Sequence, residues 1–415
     1  MKKLFCNRNY KILVLGQVIS LFGSAIQRFA LSLYLLDLTG NASVFANILA
    51  LSIVPIIVFA PFAGILSDRA NRRNIMVVLD LLSGLCITVY AFLLFAGKDN
   101  YVTTGTVMMI LSGIAALYQP AVNASIPAIV DEADLTSANG VVQQVSSLSN
   151  FLGPILAGVL YGMFGIKVVI VVNAISFFIS AVMELFLEIP FEKPVDKIAP
   201  IKLFVSEMKE SAAYLKHENK HVLRLVEASG LYNLFLVPVF TVCAPFIIKE
   251  MLGMSSQVYG FSEGIMAMGM IAGGMFISAR PDFLGIKKIH YVSAAMSIAM
   301  CVMALALFIP IGTVRSRYGI LLAVTLGIAS IMVALGIANV IQMTYIQRAT
   351  RPDMLGKVMA FSTAIATMCV PVGQIGYGFL VEHFADKMGG IVFLSGMFTF
   401  LVTLFVRWNV GQIED

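Results

Sequence analysis

The chain has 415 residues, 59% of them hydrophobic and 12% charged, with a net charge of +5 and a mean hydropathy of +0.91. Soluble domains carry about a quarter charged residues, so this surface cannot all face water and the apolar excess must meet lipid. The basic residues sit in short stretches between apolar runs, without the basic, aromatic-interleaved patch of a nucleic-acid binder, so no nucleic-acid partner is expected.

The chain opens on the basic stretch MKKLFCNRNYK and passes into an apolar run too long for a signal-peptide core, with no small-residue cleavage site after it. It reads as a retained first membrane helix. Apolar runs long enough to span a bilayer, roughly 20 residues each, occupy 10–37, 43–67, 74–97, 102–126, 138–164 and 167–189. A second set covers 222–249, 256–279, 288–310, 318–346, 355–383 and 388–409. Between the sets lies a polar stretch, Phe191 to Lys220, with Pro194, Pro200 and many Lys and Glu. The pattern predicts an all-α integral membrane protein of twelve transmembrane helices in two six-helix bundles. Residues 1–190 and 221–415 form the bundles and 191–220 a cytoplasmic linker, the layout an internal duplication leaves.

Lys/Arg asymmetry sets the expected orientation. Placing both termini in the cytoplasm puts Lys2, Lys3, Arg8, Lys11, Arg69, Arg72, Arg73, the linker lysines, Arg280, Lys287, Lys288, Arg348, Arg351 and Lys357 inside. Lys98, Lys167, Lys249, Arg315, Arg317 and Lys387 then lie outside. The expected location is a cell membrane, of the bacterial inner-membrane kind. No G-x-x-x-x-G-K-[ST] loop occurs, and no Ser/His/Asp or paired-carboxylate cluster is placed for hydrolysis, so an ATP-driven pump and an enzyme are both disfavoured. Cys6, Cys86, Cys243, Cys301 and Cys369 are scattered and read as small hydrophobes. His217 and His221 stand at i, i+4, but in a Lys-rich stretch without a Cys partner, and no metal site is expected.

The sharpest motif is Gly64-Ile65-Leu66-Ser67-Asp68-Arg69-Ala70-Asn71-Arg72-Arg73, between the second and third apolar runs. Gly64 permits close helix approach, Asp68 is an acid at a helix end, and the arginines anchor the cytoplasmic side. A positive-inside cluster alone would explain the bases but neither Gly64 nor Asp68. The spacing G-x-x-x-D-R-x-x-R-R resembles the signature loop of the major facilitator superfamily. That resemblance implies a conformational latch of Gly64, Asp68, Arg69, Arg72 and Arg73, with the acid set against the positive end of a helix from the other half. The corresponding loop of the second half, Ser278-Ala279-Arg280-Pro281-Asp282, is degraded.

In the fifth apolar run, Ser149-Asn150-Phe151-Leu152-Gly153-Pro154-Ile155-Leu156-Ala157-Gly158 combines a helix-bending proline with small-residue ridges at Gly153, Ala157, Gly158 and Gly162. It resembles the antiporter motif of the superfamily's exporters, with Ser149 and Ala157 where two glycines stand in that motif; simple helix packing explains the same residues. Pro371, Gly373, Gly376 and Gly378 form a related feature in the eleventh run. The loops Pro127-Ala128-Ile129-Val130-Asp131-Glu132-Ala133-Asp134-Leu135 with Ala138-Asn139, and Gln347 followed by Arg351-Pro352-Asp353-Met354-Leu355-Gly356-Lys357-Val358, together resemble the branch holding the macrolide-efflux proteins, the enterobactin exporter and a lysophospholipid transporter. Ser24-Ala25-Ile26 and Thr39-Gly40-Asn41-Ala42 also resemble the macrolide-efflux first helix.

Charged side chains inside a membrane are costly and mark function by default. Arg28 lies 17 residues past Lys11, roughly 25 Å of helix rise, and so near mid-membrane. Gln17, Ser20, Ser24, Gln27 and Arg28 form a polar stripe expected to face a central cavity. The first, fourth, seventh and tenth helices line the cavity in the resembling fold, which adds Gln119, Asn123, Asn233, Asn339 and Gln342 as substrate-cavity candidates; each taken alone is more often a helix–helix hydrogen bond. Glu263, Arg28 and Asp80 are the proton-coupling candidates; a membrane-buried carboxylate such as Glu263 exchanges protons near neutral pH, though a structural partner of some donor is the plainer expectation for it. Arg28 and Glu263 are expected to pair at an outer gate. For Asp80 an ion pair with the neighbouring basic loop is the plainer expectation, and Glu184, Glu188, Glu227 and Asp37 read as interfacial. The 23 methionines suit a deformable apolar pocket, and Met266, Met268 and Met270 flank Glu263.

These features lead to the expectation of a secondary transporter that exports amphipathic or hydrophobic small molecules by proton antiport, with no cofactor beyond the proton gradient. The small-molecule substrate and the lipid bilayer are its partners, and a monomer is expected. A siderophore or lysophospholipid mover of the same fold, or a nutrient-uptake symporter, is the alternative.

Overall fold

A computed structural model describes residues 7–131, 134–190, 200–280 and 282–413, apart from the side chains at 61, 64, 65, 68, 69, 136 and 200–204. The helices in chain order are α1 (Arg8–Thr39), α2 (Ala42–Arg69), α3 (Arg72–Phe95), α4 (Tyr101–Ile129), α5 (Leu135–Glu184), α6 (Pro200–His217) and α7 (Lys220–Phe235). They continue with α8 (Ser256–Ala279), α9 (Ile289–Ala306), α10 (Val314–Ala349), α11 (Pro352–Phe384) and α12 (Met388–Val410). Among the described residues, ten helical stretches are long and apolar enough to cross a membrane. Two of these are of double length. The stretch within α5 breaks at Gly165, whose φ of 73° is open to glycine without strain, and so carries the fifth and sixth crossings. The stretch Pro352–Val410 breaks at the short turn Ala385–Lys387 between α11 and α12. The count fits the twelve expected crossings. The seventh crossing extends past α7 through two π-helical turns, Val239–Cys243 and Phe246–Met251, each preceded by a proline, Pro238 and Pro245.

The chain divides into two compact units, Met1–Thr39 with Leu51–Phe204, and Gly40–Ala50 with Val205–Asp415. This division departs from the sequence expectation in two places. The start of α2 groups with the second unit, where a side chain at Gly378 would collide with Ala46 and where Asn41 Nδ2 donates to Glu382 Oε1 at 2.8 Å. The expected linker 191–220 contains a helix, α6, held to the second unit by Lys357–Glu210 at 2.8 Å and Arg351–Glu218 at 3.3 Å; residues 191–199 lie outside the described residues.

In the first unit, α1 runs beside both parts of α5. The part before Gly165 lies parallel to it, with Tyr10 donating to the Ala138 carbonyl and Tyr161 to Asp37. The part after Gly165 returns antiparallel, so that Gly23 meets Asn173 and Ser176, and Gly16 meets Ser180 and Glu184. Small residues on α1 make this approach possible, as in other membrane bundles where packing rather than hydrophobic burial drives association. In the second unit α8 crosses α10 closely, since a Cβ at Gly269, Gly273 or Gly336 would strike a backbone carbonyl of the facing helix.

The two units repeat the same local solutions. Asn7 caps α1 and donates its amide to the last residue of α4, the Ile129 carbonyl, at 2.7 Å. Asn219 caps α7 and donates to the last residue of α10, the Ala349 carbonyl, also at 2.7 Å. Both α4 and α10 begin on a capping box, Asn100 with Thr103 and Thr313 with Ser316. Gly153 presses on Ala25 of α1, and Gly373 presses on the α7 backbone at Leu234.

Candidate functional site

Arg28 is an exposed charged group on α1 of the first unit. Gly153 has no side chain, so α5 comes against Ala25, and Arg28 from the next turn of α1 reaches back over this contact to donate to Asn150 Oδ1 at 3.1 Å. Ser24 is half-buried beside it. Gln17, Ser20 and Gln27 are buried, so the predicted stripe is not uniformly accessible. Neither amide atom of Gln27 has a hydrogen-bond partner among the described residues.

The other end of the stripe turns into its own bundle and meets two carboxylates. Asp80 of α3 is 2% exposed and Glu184, in the last turn of α5, is 1% exposed. Ser20 Oγ donates to Asp80 Oδ1 at 3.5 Å, and Ser180 Oγ, beside it on α5, donates to the Gly16 carbonyl at 3.4 Å. Gln17 Nε2 donates to the Tyr118 hydroxyl at 3.0 Å, and that hydroxyl donates to Glu184 Oε1 at 2.5 Å. Three acceptor oxygens here, Gln17 Oε1, Asp80 Oδ2 and Glu184 Oε2, are buried without a partner among the described residues. The sequence expectation of an ion pair for Asp80 is therefore corrected. Asp80 stands eight residues past Arg72, about 12 Å along α3, and its carboxylate accepts from Ser20. The interfacial reading of Glu184 is corrected too, because the antiparallel return of α5 along Gly16 turns its side chain inward.

Between this cluster and the Asn7 end of the unit lies an apolar layer of Leu13, Val14, Ile75, Met76, Ile126 and Leu187, among others. At the matching helices of the second unit, α7, α9 and α12, the buried polar groups are uncharged: the Tyr232 hydroxyl has no partner among the described residues, Ser297 lies 3.4 Å from Thr403, and Asn409 bonds His221. The carboxyl pair thus belongs to one unit only, among the described residues.

The remaining candidates mostly find helix–helix partners. Gln119 Nε2 reaches Asn123 Oδ1 at 3.4 Å within α4, and Asn123 is exposed. Asn233 donates to the Ala366 carbonyl at 2.9 Å, and Gln342 to Ser229 Oγ at 2.6 Å and the Leu225 carbonyl at 3.3 Å. Asn339 is exposed. Glu263 bonds Tyr259 on its own helix, and its Oε2 is buried without a partner. Arg72 Nε donates to the Ser67 carbonyl at 3.1 Å, and Arg73 Nε is buried and unpartnered. The side chains of Gly64, Asp68 and Arg69 lie outside the described residues. In the antiporter-type segment, Gly153, Ala157 and Gly158 are buried and Pro154 lies within α5. His221 Nδ1 lies 3.0 Å from Asn409 Oδ1.

Sequence reasoning missed Tyr118 and Ser180 and underrated Glu184. Their helices are apolar on both the lipid-facing and the inward-facing sides, so periodicity does not say which way they point.

Two units with matching helix caps, many membrane-length helices and buried charge define a membrane transporter of duplicated design. The Major Facilitator Superfamily description matches residues 13–373, and the chain belongs to that family. It is 26% identical over 375 residues to macrolide efflux protein A of Streptococcus pyogenes, covering 90% of this chain and 88% of that protein. The likeness to macrolide efflux protein A of Enterococcus faecalis is 25% over 337 residues, with 80% and 99% covered. Among solved structures, a bacterial homologue of the iron transporter ferroportin in an inward-facing state superposes with a TM-score of 0.73 at 17% identity, covering 98% of this chain and 99% of that one. At that identity the likeness speaks for the fold alone.

Proposed function

We propose that the chain exports amphipathic or hydrophobic small molecules of macrolide-like character, driven by inward proton movement through alternating access. The observation that carries this reading is the similarity to macrolide efflux proteins along 90% of the chain. The buried carboxylates of the first unit and Glu263 of the second support proton coupling, because carboxylates without a cation partner inside a membrane are retained at a cost. Arg28 and Asn150 offer a hydrogen-bonding contact for polar groups on an otherwise apolar molecule. The Lys/Arg bias supports cytoplasmic termini and a multi-pass placement in a bacterial inner membrane. The test is drug accumulation in cells with and without the gene, with and without a proton uncoupler. Export predicts lower accumulation in expressing cells and loss of that difference on uncoupling.

A further inference from the structure

We propose that Asp80 and Glu184 form a shared proton-binding site inside the first helical unit, distinct from the exposed Arg28–Asn150 contact. This rests on the proton-coupled reading above and names its coupling site.

The groups around the pair come from four segments. The first, α1, presents Gln17 and Ser20, neither of which titrates, and α3 presents Asp80. From α4 comes the Tyr118 phenol, and from the part of α5 after Gly165 come Ser180 and Glu184. Tyr118 is thus the third titratable group, and no Lys, Arg or His among the described residues pairs with either carboxylate. Of the bases of the same unit, Arg8, Lys11, Arg72 and Arg73 belong to the turns nearest its Asn7 end, beyond the apolar layer. Arg28 stands eight residues past Ser20, about 12 Å further along α1, and Lys98 and Lys167 lie at the opposite helix ends.

Chemistry then limits what the cluster can hold. Each hydroxyl donor present is already directed: Ser20 to Asp80, Ser180 to the Gly16 carbonyl and Tyr118 to Glu184. The three unpartnered atoms are all acceptors, one of them on the uncharged Gln17. Two uncompensated buried carboxylates in one site disfavour double ionisation. A single proton removes one of the charges and turns one acceptor oxygen into a donor. Loading moves a proton from hydronium to a carboxylate oxygen, forming an O–H bond and leaving water; release reverses both changes. A pair sharing one proton titrates as a unit rather than as two residues.

A second line of buried polar groups runs from this site along the same helix contact. Glu184, Ser180, Ser176 and Asn173 fall at spacings of four, four and three on α5 and face Gly16, Ser20 and Gly23 of α1. Asn173 is buried, and its Nδ2 is unpartnered among the described residues. The row leads away from the Asn7 end and offers protons a polar path along this helix contact.

The test is infrared titration of the full-length protein in liposomes without substrate, following the carbonyl band of protonated carboxylic acid. Wild type should show a band lost as pH rises. Asp80→Asn and Glu184→Gln should each remove or displace it, and Tyr118→Phe, which keeps both carboxyls, should displace its midpoint. Glu188→Gln, altering an exposed side chain, should leave it unchanged, and size-exclusion profiles identify variants that fail to fold. Wild-type titration retained in both carboxyl variants would overturn the proposal. So would a band that responds to sodium at fixed pH instead of to protons, since the site would then hold a metal cation. No drug enters this measurement, so failure of the export reading leaves its outcome separate.

Discussion

Tyr118 donates its phenol to Glu184 Oε1 across 2.5 Å while accepting from Gln17, which ties α4, α1 and the last turn of α5 at one buried point. Tyr118→Phe removes the one donor the structure gives Glu184. Leaving a buried acceptor unsatisfied costs about 1–3 kcal/mol, so the unfolding temperature of the purified variant in detergent should fall. An unchanged midpoint would contradict this hydrogen bond.

The glycines separate packing from flexibility. A Cβ at Gly153 would stand 2.6 Å from the Ala25 Cβ, whereas one at Gly376 would meet nothing within 4 Å. Gly153→Ala should therefore destabilise by about 1–3 kcal/mol, the usual cost of overpacking, and weaken transport through the displaced Arg28 turn. Gly376→Ala should be close to neutral in both thermal melting and transport assays.

Asn7 and Asn219 make the same pair of bonds in the two units, each capping a first helix and holding the end of a fourth. Replacing either by alanine should cost about 0.5–2 kcal/mol. The two share no partner, so the double variant should show the sum of the single losses in thermal or denaturant unfolding.

Orientation is open to direct labelling. With native cysteines removed, Lys98→Cys should react with a membrane-impermeant maleimide in intact cells, and Lys288→Cys only after permeabilisation. Both positions are exposed. The opposite pattern would invert the topology inferred from the basic loops.

Much of the fold was legible from the chain because lipid imposes it: spans need length and apolarity, and Gly and Pro mark the bends. The duplication showed in the two sets of runs, and the break between the fifth and sixth crossings falls at Gly165, inside the gap between the predicted spans. The buried carboxyl pair was only half legible. Asp80 stood out as a charge within an apolar run, but Glu184 falls at a helix end, where an interfacial reading is natural. Only the antiparallel return of α5 against Gly16 turns it inward, and that is a tertiary contact. Tyr118 carried no signal, since an aromatic in a membrane helix looks the same facing lipid or a carboxylate. The helix α6 was read as linker because its charged surface lacks the apolar length of a span, yet Lys357–Glu210 and Arg351–Glu218 hold it to the second unit.

The most direct test of proton-driven export is uptake of a radiolabelled macrolide by everted membrane vesicles under an imposed proton gradient, acid inside. The account predicts accumulation in everted vesicles that collapses when an uncoupler is added. Accumulation confined to right-side-out vesicles, or indifferent to the uncoupler, would contradict it.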